Sequence, residues 1–146
     1  MHTEDVRQQV QVITVGVTEL EVSRAFYSEG LGWKPVLDLE EIVFYQVGHG
    51  LLFALFPILD FAADIGHAIA PNDGGFSLGH IVDTPEAVDA AIERARAAGA
   101  QILKDPQDAA YGGYHGYFAD PDGHRWEIAW NPGFAVTSDG SVTLSV

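Results

Sequence analysis

Apolar positions in this chain fall into short strand-like runs and two stretches of helical spacing, and the same order occurs twice. QVITVGV (residues 11–17) predicts a strand, and Thr18-x-x-Glu21 after it reads as a capping box opening a helix. Val22, Ala25 and Phe26 give that helix an apolar face, and Gly30 and Gly32 end it. In the later half FSLGHIV (residues 76–82) predicts a strand, with Thr84 as N-cap and Pro85 at the first helical position. Val88, Ala91, Ile92 and Ala95 then recur at helical spacing until Gly99.

Three strand-like runs follow each helix: WKPVLDL, EIVFYQV and GLLFALF in the first half, and AQILK, GYFAD and RWEIAW in the second. Each final pair is joined by a tight turn, VGHG or DPDG. The chain therefore reads as βαβββ twice, an α+β arrangement in one domain over residues 1–146. The expected parts are a first module at 10–56, a connector at 57–75, a second module at 76–131 and a tail at 132–146. The repeat offset grows from 65 residues at Val17/Val82 to 73 at Tyr45/Phe118, which places the inserted loop at QDAAYGGYHG.

The runs VGVTELEVSRAFYSEGLGW and GYFADPDGHRWEIAWNP, together with the repeat, resemble the vicinal oxygen chelate superfamily, which includes glyoxalase I, bleomycin-resistance proteins and extradiol dioxygenases. WEIAWNP with YGGY upstream is similar to its "glyoxalase family protein" branch. The resemblance implies a barrel-like cavity built by two sheets. Metal-using members place one His, Gln or Glu ligand on the first and last strands of each module, donors suited to divalent ions. Carried onto this chain, those positions read Val12, Ala54, Ser77 and Glu127. One carboxylate cannot offset the dehydration of a divalent ion. The expectation is therefore no cofactor and no metal, although a displaced metal site remains an alternative.

Side-chain alternation from Glu127 places Arg125 and Ala129 on its face of the strand. Pairing Phe118 with Arg125 across the DPDG turn brings Phe118, Gly116 and Tyr114 to the same face, and the repeat adds Tyr45, Leu52, Ala54, Phe56, Val12, Thr14 and Gly16. The first strand of the second module contributes Ser77, Gly79 and Ile81. Such a lining of apolar, aromatic and a few polar groups suits a small-molecule pocket. The candidate catalytic residue is Glu127, acting as acid or base. The candidate substrate-binding residues are Arg125, Tyr45, Tyr114, Phe118, Thr14, Ser77 and His115. A plain alternative is a filled core in which Arg125 and Glu127 pair with each other. His80 is expected to face the helices as a hydrogen-bonded core residue, and His124 to be exposed.

The composition narrows the function classes. With 47% hydrophobic residues the chain can bury a core. A formal net charge of −14 disfavours nucleic acid and an anionic membrane surface. No apolar run reaches the ~20 residues of a membrane span. With no cysteine, disulfides and thiolate chemistry are excluded, and a cytoplasmic location is the default. Two functions stand at this point. One is binding of a small molecule, as in bleomycin-resistance proteins, by a homodimer with an acidic surface. The other is a glyoxalase-like lyase, an isomerase or a dioxygenase.

Overall fold

A computed structural model describes residues 6–70, 75–110 and 112–144. The first module runs β1 (Val12–Val17), α1 (Leu20–Arg24, continuing into a π-helical segment Ala25–Gly30), β2 (Pro35–Asp38), β3 (Val43–Gly48) and β4 (Leu51–Pro57). The second runs β5 (Leu78–Ile81), α3 (Pro85–Ala97), β6 (Gln101–Asp108), β7 (Tyr114–Ala119) and β8 (Arg125–Trp130). Their sheets have equivalent strand orders, β1-β4-β3-β2 and β5-β8-β7-β6, with the outer pairs β1/β4 and β5/β8 parallel. The double βαβββ reading of the sequence is thus the observed α+β fold.

The two modules meet through their helix-bearing faces. Tyr27, fully buried on the π-helical segment, touches Tyr45 and Phe53 of its own sheet and Trp126 of the other. On the second side Val88, Ile92 and Ala95 are fully buried, as the helical spacing predicts. The Thr84 hydroxyl accepts the Ala87 N–H at 3.1 Å, capping α3. Thr84→Ala is expected to lower stability by about 1 kcal/mol in a urea titration.

Two expectations are corrected. The α1 N-terminus has no capping box: Glu19 is the N-cap residue and makes no side-chain cap bond. Val22 is 46% exposed, and Leu20, Ser23, Phe26 and Tyr27 form the buried face instead. The connector, for which no element was expected, contains α2 (Ile58–Ile65), ended by left-handed Gly66. The signal for α2 was in ILDFAADI, where Ile58, Phe61, Ala62 and Ile65 fall at i, i+3, i+4 and i+7. This helix packs on Gly16, where an added Cβ would stand 3.3 Å from Ile58 and Phe61. In the tail, β9 (Phe134–Val136) and β10 (Val142–Leu144) form a hairpin.

The DPDG turn does more than reverse the chain. Asp120 is 5% exposed and accepts the Tyr27 hydroxyl at 2.6 Å, while Tyr27 Oη in turn accepts Trp126 Nε1–H at 3.0 Å. The other Asp120 oxygen accepts the backbone N–H groups of Asp122 and His124. Asp122 reaches across to the start of α1, accepting the Thr18 N–H (2.9 Å), the Thr18 hydroxyl (2.8 Å) and the Ser23 hydroxyl (3.1 Å). His124, expected to be exposed, donates from Nε2 to the Gly16 carbonyl at 2.8 Å. One short turn therefore clasps the second module to the first and supplies the anionic cap that α1 lacks.

Candidate functional site

Strand register decides which side chains meet Glu127. Across the β7/β8 hairpin, Ala119 stands opposite Arg125, Tyr117 opposite Glu127 and His115 opposite Ala129. The turn closes with Gly123 N–H on the Asp120 carbonyl, Gly123 at φ +85° and Asp120 N–H on the His124 carbonyl. That uses one residue fewer than pairing Phe118 with Arg125 requires, and a one-residue slip turns every side chain of β7 to the other face.

The correction moves three candidates. Phe118 stacks on Trp126 in the core, with centroids 6.2 Å apart and an interplanar angle of 7°. Tyr114 lies on the helix side and donates to Asp89 of α3 at 2.7 Å. Tyr45 pairs with Phe53, is buried and shares a hydrogen bond with the Ser28 hydroxyl at 2.8 Å. The remaining first-sheet residues keep their expected face, with Thr14 opposite Ala54 and Val12 opposite Leu52. Thr14 is half-buried there, and Ser77 is exposed just before β5.

The flip brings His115 to Glu127. Its Nδ1 lies 2.7 Å from Glu127 Oε2, with the two side chains 14% and 28% exposed. Because a carboxylate only accepts, Nδ1 carries the proton. His115 Nε2 is buried and has no hydrogen-bond partner among the described residues. Tyr117 stands opposite Glu127, and its phenol pKa is raised, first by burial and then by the Glu127 charge. On the other flank, Gly79 of β5 lies opposite Glu127, and an added Cβ there would meet nothing within 4 Å. Arg125 shares the face and is exposed. The result is a carboxylate oriented by an imidazole on a buried flank, with open space beside it.

The model of the Glyoxalase/Bleomycin resistance protein/Dioxygenase superfamily matches residues 9–128. The chain belongs to this superfamily. A crystal structure of a glyoxalase-related enzyme from Fulvimarina pelagi is 44% identical, covers 96% of this chain and 100% of that one, and superposes with a TM-score of 0.90. A glyoxalase/bleomycin resistance protein/dioxygenase from Nocardioides is 25% identical over 89% of this chain and 91% of its own, with a TM-score of 0.70. A lactoylglutathione lyase from Agrobacterium tumefaciens is 22% identical over 86% of this chain and 95% of its own (TM-score 0.67), a likeness of fold. No curated protein matches the chain.

Superfamily members that use a metal need several ligands converging from both modules. Here Val12 and Ala54 share the ligand-bearing face of the first sheet, and neither can donate; Ala54 is fully buried. Glu127 is engaged by His115, and no group of three or more His, Asp or Glu side chains among the described residues could hold a metal ion. The residues present do not fit the superfamily's metal centre. No helix among the described residues is long and apolar enough to cross a membrane.

Proposed function

We propose that the open face of the second sheet is a small-molecule site in which Glu127 exchanges a proton with its ligand, without a divalent metal. The observation that carries this reading is the 2.7 Å contact of His115 Nδ1 with Glu127 Oε2. It fixes the carboxylate from one side, Tyr117 hydrogen-bonds to the same carboxylate, and the space at Gly79 adjoins it. A carboxylate so oriented suits removal or return of a proton at a hydroxyl or an acidic carbon. His115 and Tyr117 act as positioning residues. The description of the Fulvimarina pelagi relative as an enzyme favours catalysis over sequestration.

A second copy of the chain completes the site in this reading. Val12 is 47% exposed on the corresponding face of the first sheet, and Leu59 and Ile65 of α2 are 82% and 51% exposed. Paired isologously, two chains cover these apolar positions and close both faces to water.

Protein purified without chelator is expected to contain no stoichiometric Fe, Mn, Ni or Zn, and dialysis against a chelator to leave its melting temperature unchanged. In a thermal-shift screen of small metabolites and cationic antibiotics, Glu127→Gln is expected to remove the shift produced by the true ligand. Where turnover is found, the same change lowers kcat by about 10²-fold or more. A ligand bound equally by wild type and Glu127→Gln takes Glu127 out of the site. A monomer in sedimentation at micromolar concentration overturns the paired arrangement.

A further inference from the structure

A cavity of about 530 Å³ lies between the modules, on the sheet faces opposite to Glu127. Its walls are Ile13, Trp33, Tyr45 and Phe53 from the first module and Leu78 and Trp126 from the second. These residues face inward by register: Tyr45 and Ile13 both stand opposite Phe53, and Leu78 stands opposite Trp126. Trp33 lies edge-on to Tyr45, Phe53 and Trp126, with centroids 5.8, 6.2 and 5.7 Å away. A smaller hollow of about 160 Å³ adjoins it, sharing Trp33, His80 and Trp126. The tail contributes Asp139, Gly140 and Ser141 to the mouth, where Asp139 meets His49 of the β3–β4 turn at 3.1 Å.

The charges at the mouth are unequal. Asp139, its acidic residue, is already held by hydrogen bonds from the Thr137 hydroxyl and the Ser141 N–H and lies against His49. Lys34, also at the mouth, is exposed and makes no hydrogen bond or ion pair among the described residues. His80 was expected to be a hydrogen-bonded core residue. It does face the helix side, opposite Ile128, but it lines the cavity, and desolvation against the wall lowers its pKa below the usual 6.5. Neutral near pH 7, it offers the cavity a hydrogen bond rather than a charge. The repulsion of a strongly acidic chain is screened beyond about 8 Å at physiological salt, so the nearest unpaired cation governs the mouth.

The geometry points to a second binding site, distinct from Glu127, for an aromatic anion whose ring lies in the cavity against the packed wall of Trp33 and Trp126 and whose acidic group meets Lys34. Ring faces and edges supply the apolar contact, and the ammonium supplies the charge selectivity.

Two dyes sharing a ring system separate these contributions. 8-Anilinonaphthalene-1-sulfonate carries the anion, and N-phenyl-1-naphthylamine lacks it. With the full chain, the sulfonate is expected to bind at one site per chain by fluorescence titration. It should shift the indole N–H signals of Trp33 and Trp126 while leaving Trp130, which lines neither hollow, in place. Lys34→Met, at an exposed position that spares the fold, weakens the sulfonate about fivefold and leaves the neutral dye unchanged. Glu127→Gln changes neither, so failure here is separable from failure at the other site. Unshifted Trp33 and Trp126 signals, or equal binding of the sulfonate by wild type and Lys34→Met, overturn the proposal.

Discussion

Asp120→Ala is expected to destabilise the protein by about 3 kcal/mol, read as a lower urea midpoint at unchanged slope. The substitution leaves the fully buried Tyr27 hydroxyl without its acceptor and frees two backbone N–H groups in the turn. The buried hydroxyl dominates, because the turn amides can turn to water whereas Tyr27 cannot. Tyr27→Phe tests the same network from the other end, orphaning Asp120 Oδ2 and Trp126 Nε1 together. A double-mutant cycle is expected to give a coupling of about 1 kcal/mol or more; additive losses would mean that the three groups do not act as one unit.

The same group gives a pH signature. Burial raises the Asp120 pKa above 3.8, against the opposing effects of Tyr27, His124 and the turn amides. The folded chain thus holds this proton more tightly than the unfolded chain does. Its contribution to stability is complete below about 3.8 and is lost as pH rises through the raised value. The stability of wild type relative to Asp120→Asn is therefore expected to be greatest in acid and to fall as pH rises above that point. A difference independent of pH would show the carboxyl to be unperturbed.

Gly113→Ala is expected to cost about 3 kcal/mol or more. Gly113 sits at φ +86°, and a Cβ there would lie 2.3 Å from the Trp130 carbonyl oxygen and 3.1 Å from Asn131 Cα. Both obstacles are backbone, so no side chain can swing aside. Gly112→Ala is the matched control: its φ is +100°, but an added Cβ meets nothing within 4 Å. It should lose only the strain of a left-handed alanine, about 1–2 kcal/mol. Equal losses from the two changes would refute the clash. Because Gly113 directly precedes β7, Gly113→Ala is also expected to disturb the His115–Glu127 contact, and Gly112→Ala to spare it.

The double module was legible because its signals are local: Thr84 and Pro85 open α3, Gly99 ends it, and strand runs bounded by turns recur in the same order. The face of β7 was not legible, because it depends on how many residues the DPDG turn consumes. That count is set by Gly123 in the left-handed region and by the Asp120–His124 closure. The repeat itself aligned Tyr45 with Phe118 correctly, so both moved together to the helix side. His115 went the other way and became the partner of Glu127. Thr18 was recognised as a helix-opening residue, but its partner Asp122 lies 104 positions away, a separation no local pattern reveals.

That separation orders events during synthesis. The first module leaves the ribosome complete in sequence, yet the carboxylate that neutralises the start of α1 and the acceptor for Tyr27 have not been made. Closing contacts about a hundred residues apart is slow and comes late. A nascent chain stopped before Asp120 thus carries Tyr27, Tyr45 and Phe53 without Trp126 and without the polar lock. The turn at 120–124 ties its own module to a helix made about a hundred residues earlier.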